Sequence, residues 1–410
     1  MRTISTCLLM ILSLALYGQK RDLSWYIEEG MRKSPVLQDF RNQVQLKAAD
    51  SLLIVAGQKP LVEGNSLLSY APVLNGIGYD QAITNGSNIG AAIAVSQPIF
   101  NKKIRQGAFE KVRIESHMAG NSYKLALLQL KHDIGAQYLV ANADLDMLHF
   151  NSGQLQLYRE EQSILQELVD KGLQPQSAYI GFLLEKQGME RQVRESTIQY
   201  RRDLADLNIL CGINDTAEVS LEPAMFKLDD GCRGSENPFL QQYLLDSVQL
   251  VNAKYLVDNQ YRPSLKWMAD AGLLSSQFST IGKNFGFSAG LSFSVPIYDG
   301  HQRSIQYSKL AIEEQTREKY FDYFYVQRSQ EIGRIRRELA ETQQSIDMYT
   351  AQKTRTEQLM DNAKKLLNLG TMSITDYILI VRNYRELILA LSQAGNKRSQ
   401  LINDFNYLHW

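Results

Sequence analysis

The sequence predicts a mainly α protein with a small β part, made of one unit used twice, each copy holding a long coiled-coil helical hairpin and a β-hairpin. Three observations carry this. Landmarks recur in order at a fixed spacing, two long stretches lack proline, and one segment alternates strictly between apolar and small residues. Gln97-Pro98-Ile99-Phe100 returns as Val295-Pro296-Ile297-Tyr298, 198 residues later, and Asp133-Ile134-Gly135 returns at that offset as Glu331-Ile332-Gly333. Lys171-Gly172 recurs as Leu369-Gly370, and Tyr179 as Tyr377. Earlier in each half the offset is 203: Pro35 maps to Pro238 and Pro60 to Pro263. One length change of five residues reconciles the two offsets. Self-similarity at a fixed spacing is the mark of a repeated structural unit.

Residues 1–19 read as a secretory signal peptide: Arg2, an apolar run from Cys7 to Leu16, and small residues near Gly18. Cys7 lies inside the apolar run without the small-residue box that precedes a lipidated cysteine, so no lipid anchor is expected. The first repeat then spans 20–211. A helix from about Ser24 to Gly57 stops before Pro60, because proline lacks the donor a helix interior needs. A β-hairpin follows over about 61–97, with turn chemistry at Asn75-Gly76, Gly78 and Asn85-Gly86. Its first strand alternates poorly: Val62, Leu68, Tyr70 and Leu74 share a face with Gly64 and Ser66.

A long helix is expected over 101–170, where no proline occurs. At 1.5 Å per residue it would be about 100 Å long. Leu130, Ile134, Ala141, Leu145, Leu148 and Leu155 keep spacings near three and four, a narrow coiled-coil seam. The helix ends at Lys171-Gly172-Leu173, where glycine suits a left-handed C-cap. A returning helix over 175–210 starts with Pro175 near its first turn. Residues 212–235, rich in Asp, Gly and Glu, form the linker between repeats.

The second repeat, 236–410, follows the same plan: a helix, a β-hairpin over about 264–297, a long helix over 301–368 and a returning helix over 373–408. Its turn is Leu369-Gly370-Thr371, and Ser373-Ile374-Thr375-Asp376 has the spacing of a capping box. The β pattern is clearest here. Phe285, Phe287, Ala289, Leu291 and Phe293 alternate with Gly286, Ser288, Gly290, Ser292 and Ser294. Leu265, Trp267, Ala269, Ala271 and Leu273 alternate with Lys266, Met268, Asp270 and Gly272. Such alternation fits outer-membrane barrel strands, and equally a soluble sandwich strand with one buried face.

Composition narrows the function. Among 410 residues, 44 basic and 44 acidic side chains balance, without the basic stripe of a nucleic-acid binder. After the leader no apolar run reaches the roughly 20 residues of a membrane helix, so a β-barrel is the remaining way to span a bilayer. Cys211 and Cys232 could bridge in an oxidising compartment or stay as two thiols. No enzyme is expected. His117, His132, His149, His301 and His409 are scattered, and neither a Cys-x-x-Cys, a phosphate loop nor a Gly-x-Ser-x-Gly elbow occurs. Glu160-Glu161 and Glu313-Glu314 read as solvated helix faces. No cofactor or metal ion is expected.

Four strands cannot close a barrel, and open edges are prohibitive in lipid. If these are membrane strands, chains must pool them. Two copies give eight strands, filled by side chains, whereas three give twelve, wide enough for a water-filled lumen. A homotrimer is the expectation, with the long helices forming a second tube.

In the duplicated unit, the early Asn-Pro or Ser-Pro, the Gln-Pro-Ile-Phe or Val-Pro-Ile-Tyr-Asp-Gly before each long helix and the Gly turn before the last one, the chain resembles the TolC-like outer membrane efflux protein family. The resemblance covers nearly all of the chain after the leader. It implies a trimeric channel-tunnel: a twelve-strand barrel in the outer membrane joined to a periplasmic α-helical barrel. It also implies docking onto a periplasmic adaptor (membrane fusion) protein, and through it onto an inner-membrane pump, in a tripartite efflux or type I secretion system. By resemblance, Gly172, Leu173, Gly370 and Thr371 are the adaptor-docking tips, Asp376 belongs to an acidic periplasmic gate, and Trp267, Phe285, Phe287, Leu291 and Phe293 face lipid. Where family members carry a second acidic residue, this chain has Leu379, and Ala178 holds the equivalent place in the first half. The rival expectation is a periplasmic coiled-coil scaffold or adaptor without a pore, which leaves the alternation at 285–297 unexplained.

Overall fold

The computed structural model describes residues 21–72, 75, 77, 87–99, 102–217, 219–229 and 237–409. The expected leader at 1–19, Leu74, Gly76, Gly78, Asn85, Gly86 and Cys232 lie outside the described residues. In order the elements are α1 (Leu23–Lys33), α2 (Pro35–Ala56), β1 (Leu61–Tyr70), β2 (Ser87–Ile99), α3 (Lys102–Asp170) and α4 (Gln176–Leu210). The second set is α5 (Pro238–Gln260), β3 (Ser264–Ser275), a 3-10 turn (Phe278–Lys283), β4 (Phe285–Ser294), α6 (Gln302–Asn368) and α7 (Ile374–Leu408).

The duplication is visible in the element ends. α2 and α5 start 203 residues apart, as do β1 and β3. β2 and β4 start 198 apart, α3 and α6 end 198 apart, and α4 and α7 both start and end at that spacing. The long helices hold 69 and 67 residues, several times the ordinary length.

One element departs from expectation. The helix expected to run unbroken from Ser24 to Gly57 is two helices, parted at Ser34-Pro35. Proline forces its predecessor out of the helical region, and Ser34 sits at φ −63°, ψ 117°. Pro35 then opens α2 as its first residue, where its missing N–H costs nothing, and the Ser34 hydroxyl accepts from the Leu37 N–H at 3.3 Å.

The chain divides into two compact units, each described here by itself. The first draws on Met1–Gln38, Lys124–Asn237 and Tyr323–Trp410. Its core forms three clusters, one around Leu155, Leu165, Phe182, Met189, Leu367 and Tyr377, one around Tyr26, Ile134, Tyr138, Leu204 and Leu207, and one around Ile335, Leu401 and Phe405. The linker after α4 packs on this unit. Leu221 pairs with Arg21 in an isolated parallel bridge, and the Tyr138 hydroxyl donates to the carbonyls of Arg21 (3.1 Å) and Glu222 (2.6 Å). Cys211 is buried in the second cluster, and burial pushes its thiol up to about 12.

The second unit draws on Asp39–Tyr123 and Pro238–Asp322. It holds the four strands and the helix segments beside them. Here α5 lies close on α3: a Cβ at Gly107 would come within 2.9 Å of Leu256, and Asn252 and Asn259 donate to the carbonyls of Gly107 and Lys103 at 3.3 Å.

Candidate functional site

The sheet of the second unit has the order β1-β2-β3-β4, antiparallel throughout. Its register decides which residues share a face. Phe285, Phe287, Ala289, Leu291 and Phe293 stand opposite Leu273, Ala271, Ala269, Trp267 and Leu265. Those residues stand opposite Ala91, Ile93, Val95, Gln97 and Ile99, and Ala91, Ile93 and Val95 stand opposite Ser66, Gly64 and Val62. The poorly alternating first strand therefore joins the same face through Val62, Leu68 and Tyr70. Apart from Gly64, Ser66 and Gln97 this face is mostly apolar, and it is most open on β1 and β4, where Tyr70 is 77% and Phe287 87% exposed. Trp267 is half-buried, its indole N–H donating to the Gln97 amide oxygen at 3.2 Å.

The opposite face is mostly small or polar, with Leu61, Leu67, Met268 and Leu274 the exposed apolar residues on it. Along one row lie Glu63, Ala94, Asp270 and Ser288, with the Ser288 hydroxyl donating to the Asp270 carboxylate. Along another lie Asn65, Ala92, Gly272 and Gly286. Gly272 marks a close approach of β3 to β2, because a Cβ there would sit 2.3 Å from the Ala91 carbonyl oxygen and 2.4 Å from Ala92 Cα.

The two turns of the first unit repeat one geometry. Gly172 has φ +72°, with Gly172 N–H on Val169 O and Leu173 N–H on Leu168 O, both at 2.9 Å. Gly370 has φ +74°, with Gly370 N–H on Leu367 O at 2.9 Å and Thr371 N–H on Leu366 O at 3.1 Å. Both are Schellman closures, which satisfy the last carbonyls of a helix and require a left-handed residue. Leu173 is 55% exposed, yet its side chain lies over Gly370, 3.4 Å from where a Cβ would be. Gln174 fastens the turns together: its amide donates to Met372 O at 2.9 Å and accepts from Ile374 N–H at 3.3 Å. No local pattern announces this residue, since its partners lie about 200 positions away.

Asp376 is exposed at the start of α7. Ser373 Oγ accepts from the Asp376 N–H at 3.0 Å, so Ser373 caps the helix, while the Asp376 carboxylate takes the Ser373 hydroxyl at 2.9 Å in place of the backbone N–H of a full capping box. Glu161 corrects an expectation. Read as part of a solvated pair, it is 4% exposed, takes the Tyr377 hydroxyl and lies 3.6 Å from Lys364 Nζ, while Glu160 is exposed as expected. Burial holds its carboxyl above the ordinary range. Asp144 is likewise pushed up to about 7, first by burial and then by the Asp203 carboxylate beside it. His132 sits between Asp133 (3.1 Å) and Asp404 (2.8 Å), joining α3 to α7.

No protein-family model matches the chain, and no curated protein matches it. Solved structures do. The CmeC outer membrane channel of Campylobacter jejuni is similar at TM-score 0.74 and 15% identity, over 94% of this chain and 85% of that one. The outer membrane protein VceC of Vibrio cholerae gives 0.73 and 14%, over 94% and 95%. The open-state MtrE outer membrane channel of Neisseria gonorrhoeae gives 0.70 and 11%, over 94% and 88%. At such identities the likeness is one of fold. The TolC-like fold expected from the sequence, helical hairpins and two β-hairpins in a duplicated unit, is the fold observed.

Proposed function

We propose, from a fold shared with outer membrane channels, that this chain is an outer membrane channel-tunnel of the TolC-like family. It exports substrates from the periplasm or an inner-membrane pump to the exterior, as one part of a tripartite efflux or type I secretion system. The observation that carries the reading is the sheet: four strands with β1 and β4 as free edges among the described residues, mostly apolar on one face and mostly small or polar on the other. In water such a face is costly at about 25 cal/mol per Å² of apolar surface, whereas in lipid it is matched. Free edges are not tolerated in lipid, so three copies pool their strands into one closed barrel of twelve. Phe285, Phe287, Leu291, Phe293 and Trp267 then meet lipid, and the rows holding Asp270, Ser288 and Gly286 line water.

The helical parts supply the periplasmic half. The tips Gly172, Leu173, Gly370 and Thr371 are presented by paired Schellman closures, a stiff and repeated shape for an adaptor to grip. Asp376, exposed in the single chain, contributes one carboxylate per copy to a ring at the periplasmic entrance. Like charges around an axis repel one another and favour cations. Asp376→Asn keeps the backbone cap, and single-channel conductance should rise with it; an unchanged conductance would retire the gate. The work of transport is done by the pump, so the chain needs no cofactor.

The test is the mass of the detergent-extracted protein, corrected for bound detergent by light scattering. Three copies support the channel. A protein released without detergent as a monomer or dimer would sink it and leave the periplasmic scaffold as the reading.

A further inference from the structure

Equivalent places in the two repeats carry different chemistry where the helices join the sheet. At the offsets of 203 and 198, Val55, Gln58, Arg105 and Phe109 correspond to Asp258, Tyr261, Arg303 and Tyr307. Both sets lie where α2 or α5 ends before a strand and α3 or α6 begins after one.

In the second repeat the arginine is neutralised. Asp258 takes both the Arg303 guanidinium and the Tyr307 hydroxyl, and Arg303 lies over the Tyr261 and Tyr307 rings at 5.9 and 5.5 Å. In the first repeat those partners are replaced. Val55 stands for Asp258, Gln58 for Tyr261 and Phe109 for Tyr307, so the carboxylate and both phenol groups are gone. Among the described residues neither Arg105 nor Lys102 is in an ion pair, and the nearest carboxylate along α3, Glu110, is held by Arg113 at 2.6 Å. Helix stability does not account for these cations. The first turn of α3 has no acidic residue, and positive charge there opposes the helix dipole.

What remains between the two helices is an open cleft of about 530 Å³. Val55 and Gln58 line it from the end of α2, and Lys102, Arg105, Gln106 and Phe109 from the start of α3. It combines two cations with apolar walls, in the size range of small-ligand sites, about 300–1,000 Å³. Its place in the fold is also marked. Gln97 belongs to the apolar sheet face, where its amide oxygen takes the Trp267 indole N–H at 3.2 Å, and its amide nitrogen donates to the Gln58 carbonyl at 2.8 Å. The cleft therefore lies at the foot of that face. β1 and β4 hold 10 residues each, the length at which a tilted strand crosses hydrocarbon. The strand ends then fall at headgroup depth, where an indole is well placed.

We propose that this cleft binds the headgroup of an anionic phospholipid, its phosphate held by Arg105 and Lys102 and its first acyl carbons lying along Val55 and Phe109. The inference rests on the membrane barrel proposed above, which brings lipid to this face. A phosphate presents paired oxygens to the guanidinium fork, and Lys102 adds a point charge. A zwitterionic headgroup brings its own cation close to both and gains less. The second repeat offers no such site, since the Asp258 carboxylate already occupies Arg303 and repels a phosphate. Each chain thus carries one site, in the first repeat.

The full chain, extracted in a non-ionic detergent, is mixed with phosphatidylglycerol or phosphatidylcholine of equal acyl length, and native mass spectrometry counts the lipid bound. The parent should keep one phosphatidylglycerol per chain under conditions that strip phosphatidylcholine. Arg105→Gln should weaken that binding about tenfold or more, through loss of hydrogen bonds to a charged group. Val55→Asp places the second repeat's carboxylate on a position that is 47% exposed, and should weaken it as much. Arg303→Gln should bind as the parent does. Equal retention of the two lipids overturns the site, as does parent-like binding by Arg105→Gln or Val55→Asp, or an equal loss in Arg303→Gln. Displacement of the lipid by millimolar inorganic phosphate would assign the cleft to free anions and overturn the lipid. The two-lipid comparison needs no substitution, so a variant that fails to fold leaves the site open to refutation. A trimer by light scattering without lipid selectivity overturns the site and leaves the channel standing, whereas absence of the trimer overturns the channel and the site with it.

Discussion

Phe182 and Phe287 are the same side chain in opposite surroundings. The first, on α4, is 0% exposed among Leu155, Tyr158, Leu165 and Met189; the second, on β4, is 87% exposed with Phe285, Leu291 and Phe293 beside it. The contrast holds for their units. Among the described residues, the three buried clusters belong to the helical unit. In the sheet-bearing unit the apolar strand face is laid bare in a single, ordered stripe. In the proposed channel this alternating face meets lipid and the edges of the sheet meet strands of other copies.

Substitutions can break or sharpen that contrast. Phe182→Ala should have the largest effect, lowering the stability of the helical unit by about 3–5 kcal/mol in urea melts, because a buried aromatic leaves a cavity. Phe287→Ala should leave the same melt unchanged, although the area of the side chain is equal. Phe287→Lys should lower the yield of membrane-assembled protein by the equivalent of about 2–4 kcal/mol, since a charge on a lipid face is costly in proportion to its depth. If the lysine variant assembles as the parent does, that face does not meet lipid.

Gly272→Ala comes next. Its Cβ would lie 2.3 Å from the Ala91 carbonyl, and backbone must move to admit it. A cost of about 1–3 kcal/mol is expected, read as reduced assembly with the helical unit's far-ultraviolet dichroism retained.

The smallest effect concerns pH in the helical unit. Asp144 is raised to about 7, so the folded state holds its proton more tightly than the unfolded chain does. The stability this contributes is full below the unfolded value near 3.8 and is lost as pH rises through about 7. Because Asp203 beside it shifts downward, the net effect of the pair is smaller than the Asp144 shift alone would give. Asp144→Asn should flatten stability between pH 4 and 7 and exceed the parent above it, checked by thermal melts across that range; a parent-like slope would remove Asp144 as its source.

Sequence features that act locally were legible. The proline-free stretches, the glycines at 172 and 370 and the alternation at 285–293 each fix backbone within a few residues, and each stands in the structure where its pattern indicates. The break at Ser34-Pro35 is equally local, but it lies between two helices that follow one another directly. The face of β1 was obscured by Gly64 and Ser66, and only its register against β2 resolves it. Glu161 and Gln174 could not be read at all. Their partners Tyr377, Met372 and Ile374 come from the other repeat, so burial and bonding arise from tertiary packing that leaves no trace in neighbouring residues.

The β2–β3 joint has a kinetic consequence. It ties two hairpins by a covalent connection, so they meet at an effective concentration of order millimolar, independent of how many chains are present. A half-length chain would have to find every such neighbour by diffusion. In the proposed ring, every second joint between hairpins is therefore already made when a chain folds. Only the remaining joints depend on abundance, and dilution should slow assembly by acting on the β4 edge alone.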